Sequence, residues 1–105
     1  MITVIVTFRL PAPMARDEAR RIFLSTAPKY QGVPGLVRKY YVLSQDGSTA
    51  GGIYLWRSKA EADAMYTDGW RDFVRGKYGT DPAVTYMDCP VVVDNLLHEI
   101  VVAPD

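Results

Sequence analysis

Along Ile2–Leu10, Ile2, Val4, Val6 and Phe8 share one side of an extended chain and Ile5 stands on the other. The β-branched run from Ile2 to Thr7 predicts a first strand, which Pro11 and Pro13 forbid to continue. The period then changes. Ala15, Ala19, Ile22, Phe23 and Thr26 fall at i, i+4, i+7, i+8 and i+11, one stripe of a helix. Asp17 and Glu18 near its start and Lys29 just beyond its end complement the macrodipole. Pro28 disfavours helical geometry at Ala27, and Gly32, Pro34 and Gly35 mark the loop that follows.

Leu36–Ser44 and Thr49–Arg57 are β-rich runs flanking Gln45-Asp46-Gly47-Ser48, and Asp-Gly is a strong hairpin signal when both turn residues take positive φ. With Asp46 and Gly47 as the turn, Tyr41 stands opposite Gly52, Lys39 opposite Tyr54 and Val37 opposite Trp56. Ser58-Lys59-Ala60-Glu61 matches a capping box and opens a second helix. Asp68-Gly69 is expected to break or bend it, after which Trp70, Phe73, Val74 and Tyr78 keep helical spacing until Gly79 offers a stop. Ala83–Val93 reads as one last long strand, with Pro90 arguing for an edge or a bulge.

The order is therefore βαββαβ, which suits an α+β, ferredoxin-like domain spanning residues 1–105, with a four-stranded antiparallel sheet covered by helices on one side. Such a sheet should be polar on its open face. This one is not: Ile5, Ile53 and Leu55 oppose Val4, Tyr54 and Trp56, and Met87, Cys89, Val91 and Val93 oppose Val84, Tyr86 and Val92. Both faces are expected to be buried, the second by another copy of the chain in a twofold homodimer. The apolar stretch Leu96–Val102, within the tail 94–105, is expected to cross to that partner.

Composition narrows the chemistry. Twelve Lys and Arg balance twelve Asp and Glu, so no excess positive field exists for nucleic acid or an anionic membrane surface. The single cysteine, Cys89, cannot make an internal disulfide, and with one histidine, His98, the chain lacks the ligands of a structural zinc site; no metal is expected. Without a basic, apolar leader or a run of about eighteen apolar residues, the chain is expected in the cytoplasm and off the membrane.

Pro34-Gly35-Leu36-Val37-Arg38-Lys39-Tyr40, Ala50-Gly51-Gly52-Ile53-Tyr54-Leu55-Trp56 and the tail Asp94–Ile100 resemble the YdhR-like monooxygenases of the dimeric α+β barrel superfamily, relatives of the antibiotic biosynthesis monooxygenases. The paired glycines are the most specific part, because glycines inside a strand need a reason such as close aromatic packing, which Tyr41 across Gly52 would supply. The resemblance implies oxygenation of an aromatic or quinol-type small molecule without metal or organic cofactor. Such a substrate, deprotonated to an enolate or phenolate, itself gives an electron to dioxygen. The protein must then exclude water, handle one proton and offer donors to an oxyanion. Tyr54 and Lys39 are the candidate donor and cation, Arg38 a further oxyanion partner, and Phe8, Trp56, Tyr66 and Trp70 the candidate aromatic wall. YdhR-like sequences tend to carry an aromatic where Arg38 stands, which alters the expected polarity of the pocket.

Several of these residues, and Cys89, have a bland alternative. Trp56, Tyr54 and Trp70 also fit core or interface packing, Lys39 and Arg38 fit charges that discourage edge pairing, and Cys89 fits a small buried hydrophobe. Haem degraders of the same superfamily use an Asn, a Trp and a His where this chain has Phe8, Met65 and Arg75, which speaks against haem breakdown. Tyr54 and Trp56 are spaced like the stacking aromatics of an RNA recognition module, but Thr49-Ala50-Gly51-Gly52 lacks the basic residue that opens that motif. A non-catalytic small-molecule-binding dimer, or an isomerase or decarboxylase on the same barrel, stays open as the rival reading.

Overall fold

The structure is a computed structural model and describes residues 1–104; Asp105, the last residue of the predicted tail, lies outside the described residues. The elements are β1 (Ile2–Arg9), α1 (Arg16–Tyr30), β2 (Leu36–Leu43), β3 (Thr49–Trp56), α2 (Lys59–Met65), α3 (Asp68–Tyr78), β4 (Ala83–Asp88), β5 (Val91–Asp94) and β6 (Glu99–Val102). The first four strands form an antiparallel sheet in the order β2-β3-β1-β4, which is the ferredoxin-like arrangement expected from the βαββαβ order, with β2 and β4 at the edges.

The helices cover one face. Val4, Val6 and Phe8 of β1 and Ala50, Tyr54 and Trp56 of β3 are buried there against Ala19, Thr26 and Tyr30 of α1, Ala62 of α2, and Trp70 and Val74 of α3. The pleat sends Ile5, Ile53 and Leu55 to the opposite face, where no helix lies, and they stay partly covered. No helix is long and apolar enough to cross a membrane among the described residues.

Several boundaries differ from expectation, each for a physical reason. Pro28 does not stop α1, which runs on to Tyr30. A proline in the last turn leaves only one carbonyl, that of Leu24, without its helical donor, and Leu24 is exposed to water. The second helix breaks at Tyr66-Thr67 rather than at Asp68-Gly69, because Thr67 caps α3 by accepting from the Trp70 N–H at 3.2 Å. Gly79, at φ +80°, ends α3 as expected. Half of the capping box forms: Ser58 Oγ accepts from the Glu61 N–H at 3.2 Å, but the Glu61 carboxylate accepts from the Ser58 hydroxyl at 2.9 Å rather than from the Ser58 backbone N–H.

The hairpin register holds for Tyr41 opposite Gly52 and Lys39 opposite Tyr54, but a bulge between Leu36 and Arg38 puts Leu36, not Val37, opposite Trp56. The turn is longer than two residues: Ser44 and Thr49 close it, and only Gly47 takes positive φ. Finally, Ala83–Val93 is not one strand. Pairing with β1 ends at Asp88, and after Cys89-Pro90 the chain turns into β5, which pairs with β6 as a separate two-stranded ribbon. Residues 91–102 therefore form a hairpin of their own, and Val91–Val93 belong to it rather than to the expected last strand. Its turn is held by Asp94, whose carboxylate accepts from the backbone N–H groups of Leu96 and Leu97 at 3.0 and 3.1 Å.

Candidate active site

On the helix-covered face, β2 and β3 set Lys39 and Tyr54 side by side. The Lys39 stem can cross β3 because residue 52 is glycine: a Cβ there would stand 2.9 Å from the Tyr54 ring and 3.1 Å from Lys39 Cε. Close packing is thus the reason for this glycine, although Tyr54 and Lys39 supply it rather than Tyr41. The neighbouring Gly51 has no room either, since its Cβ would run into the Val6 carbonyl of the next strand.

The Lys39 amine ends among aromatic faces. Its Nζ lies 3.3 Å from the centre of the Tyr30 ring, 3.8 Å from Tyr41 and 4.6 Å from Tyr54. Among the described residues no carboxylate lines this space; the charged neighbour is Lys29, whose own Nζ sits 3.6 Å over Phe73. Burial first, and the positive charge of Lys29 second, bring the Lys39 ammonium down to about 7. The Tyr54 hydroxyl moves the other way: burial, with Tyr30 and Tyr66 nearby, pushes it far above the usual phenol range, so it stays protonated.

Around this pair the aromatic residues interlock. Tyr66 meets Tyr54, Trp56 and Trp70 edge-on, with centroids 5.4, 6.0 and 4.9 Å away. The two indoles donate inward, Trp56 Nε1 to the Tyr66 hydroxyl at 3.0 Å and Trp70 Nε1 to the Tyr30 hydroxyl at 3.2 Å. Phe8 closes the far end against Tyr78 at 4.4 Å. The fold therefore brings together Tyr54, Lys39, Phe8, Trp56, Tyr66 and Trp70. It does not bring Arg38 to them. Being next to Lys39 on a strand, Arg38 points to the other face, where it is exposed, 3.4 Å from Asp94.

Sequence reasoning missed Tyr30 and Tyr41 as members of the cluster. Tyr30 continues the α1 stripe four residues beyond Thr26, a signal hidden by Pro28. Tyr41 stands opposite Gly52 in the expected register, but its hydroxyl bond to Thr26, 2.8 Å, needs the helix packed on the sheet. The enclosed space beside Lys39 amounts to ≈ 20 Å³, room for one water. Among the described residues no three His, Cys, Asp or Glu side chains stand together as a metal site would need.

A four-stranded antiparallel sheet with helices on one face and an aromatic-caged lysine between the layers defines the setting for comparison with known proteins, and the fold is that of the antibiotic biosynthesis monooxygenases. A monooxygenase from the gene ActVA-Orf6 of Streptomyces coelicolor, solved in complex with the ligand nanaomycin D, superposes with a TM-score of 0.64 at 18% identity over 84% of this chain and 86% of that one. SnoaB, a cofactor-independent oxygenase from Streptomyces nogalater, gives 0.61 at 16% identity over 84% and 91%. An antibiotic biosynthesis monooxygenase gives 0.64 at 21% identity over 85% and 98%. At these identities the likeness is one of fold. Residues 4–76 match the family described as "Putative mono-oxygenase ydhR", and the chain belongs to that family. Among curated proteins no significant match is found. Family membership supports a monooxygenase-type function.

Proposed function

We propose that the protein is a cofactor-independent monooxygenase of an aromatic or quinol-type substrate, with Lys39 as the base. The observation that carries this reading is the Lys39 amine, held against Tyr30, Tyr41 and Tyr54 with no carboxylate beside it among the described residues and brought down to about 7. Half of such a lysine is a neutral amine at neutral pH, the state a general base needs. It takes the proton from a phenol or enol, giving the substrate anion and an ammonium. The anion passes one electron to dioxygen, the two radicals join to form a C–O bond, and the ammonium returns its proton to the peroxide. Loss of water then leaves one oxygen atom on the product as a carbonyl and releases the other. Tyr54, kept protonated, donates to the oxyanion, and Phe8, Trp56, Tyr66 and Trp70 keep water out.

Aerobic and anaerobic incubation with anthrones and quinols tests this. Oxygen uptake matching product is expected, with kcat reduced on the order of 100-fold or more in Lys39→Met. Product formed equally without oxygen removes the oxygenase reading. The tight packing beside Lys39 favours the rival, a protein that binds an aromatic molecule without reaction, and binding with no oxygen uptake would select it.

The outer sheet face supports a homodimer. Ile53 and Leu55 lie under the β5–β6 hairpin around a groove of ≈ 470 Å³, and Val91, Val93 and Leu96 beside it are exposed, Leu96 at 89%. A second copy of the chain covering this face removes that apolar surface from water.

A further inference from the structure

A far larger hollow than the one beside Lys39 lies elsewhere in the molecule. A groove of ≈ 670 Å³ runs between α1 and the end of β2, whereas the space at the amine is ≈ 20 Å³. The first falls within the range of about 300–1,000 Å³ typical of small-molecule sites, and the second does not. Tyr41 lines both.

The Tyr41 ring stacks on Phe23 at 4.8 Å and has Lys39 Nζ 3.8 Å from the same centroid. A stacked ring and an ammonium this close cannot share one face, so Tyr41 is the partition, with Phe23 on the groove side and the amine behind. Its hydroxyl bond to Thr26 at 2.8 Å latches it to α1.

We propose that this groove binds the non-reacting part of a flat, fused-ring phenol, and that Tyr41 with Phe23 is the gate between it and Lys39. The gate rests on the reading of Lys39 as the reacting base; the groove rests on its own shape and lining. Ala15, Ala19 and Ala27 keep the helix side shallow, and Leu24 and Leu43 offer apolar walls to a flat ring. The loop end of the groove is preformed. Met14 N–H donates to the Gly47 carbonyl at 3.0 Å and Leu10 N–H to that of Ser48 at 2.8 Å, which ties the turn to the chain leading into α1. Arg16, which enters no ion pair among the described residues, stands on the rim where a ring hydroxyl or phenolate would emerge.

The probe is 1,8-dihydroxyanthraquinone, which binds without consuming oxygen, titrated into the whole chain while backbone amide shifts are followed by NMR. Shifts concentrated in residues 14–27 and 43–47 are expected, with at least tenfold weaker binding in Ala27→Trp and in Leu24→Lys, the latter an exposed position that folding tolerates. Tyr41→Phe, which cuts the latch and keeps the ring, is expected to speed the slow second phase of stopped-flow binding at least threefold. Shifts confined to the outer sheet face, no binding, or affinity within twofold of wild type in both groove variants overturns the groove. An unchanged or absent second phase overturns the gate. Oxygen uptake that persists unaltered in the groove variants rejects the groove and leaves the monooxygenase reading standing; groove binding with no oxygen uptake does the reverse.

Discussion

Lys39 and Tyr54 face each other across the β2–β3 hairpin, and the lysine nitrogen lies 4.6 Å from the centre of the tyrosine ring. The same burial lowers the one and raises the other, favouring the neutral form of each. The Lys39 shift has a thermodynamic signature. With the folded value near 7 and the unfolded value near 10.5, the unfolded chain holds the extra proton between those limits, so stability rises with pH across that window. Below pH 7 both states are charged and the cost of burying the ammonium is fully present. Lys39→Met is expected to be more stable than wild type at pH 6, and the advantage to shrink by up to about 1.4 kcal/mol per pH unit between 7 and 10. Urea melts of both proteins at matched pH check this, and the tyrosine contributions cancel in the difference.

Gly52→Ala asks whether the lysine's path across β3 matters. The added methyl meets the Tyr54 ring at 2.9 Å and Lys39 Cε at 3.1 Å, and both belong to a packed layer that has little room to give. A loss of about 1–3 kcal/mol in stability is expected. The Lys39 amine should also move toward solvent, so the slope between pH 7 and pH 10 of the stability difference between Gly52→Ala and its Lys39→Met double variant should flatten. Measured melts of the four proteins close the cycle.

Trp56 is fully buried and spends its indole N–H on Tyr66 at 3.0 Å. Trp56→Phe removes that donor and leaves a void where the second ring stood, and is expected to cost about 2–4 kcal/mol. The matching change Trp70→Phe frees the Tyr30 hydroxyl next to Lys39 and should cost less, because Trp70 is slightly more exposed at 5%. Denaturation midpoints rank the two.

Much of this was written locally. The pairing of Lys39 with Tyr54 follows from the Asp46-Gly47 turn and a period of two, and both survive although the turn proved longer, because adding one residue to each side of a turn leaves the register intact. The same alternation should have excluded Arg38 from the cluster, since neighbours on a strand point to opposite faces. Other features were illegible. A bulge at Val37 is a matter of hydrogen-bond geometry that no residue type announces. Val91–Asp94 continues the strand pattern of Ala83–Asp88, and periodicity carries no information on which sheet a strand joins. Tyr41 as partition depends on where α1 lands on the sheet.

The Asp46 turn makes an acid prediction. Its carboxylate accepts from the Ser44 and Ser48 hydroxyls at 2.8 and 2.7 Å and from the Ser48 N–H at 3.0 Å, and these bonds, those of Ser48 foremost, bring it down to about 2. A group depressed below its unfolded value stabilises the fold above that value, and the contribution is lost as pH falls through the folded one. Asp46→Ala is therefore expected to melt below wild type at pH 6, and the gap to close between pH 4 and pH 2. Thermal melts of the two proteins across that range decide it.

The β5–β6 hairpin tests the second copy. Val93 and Leu96 are exposed on a ribbon that continues the apolar outer face formed by Ile53 and Leu55, so a charge there meets no cost in an isolated protomer and a large one in a covered interface. Val93→Asp and Leu96→Asp together are expected to shift the mass measured by light scattering from two chains to one at micromolar concentration, with the far-ultraviolet spectrum unchanged because the four-stranded sheet does not use either residue. The inner aromatic cluster lies on the other side of that sheet, so binding at the α1–β2 groove should survive the change. Wild type already running as a single chain, or a double variant still running as a pair, would mean that something other than a second copy accounts for the apolar outer face.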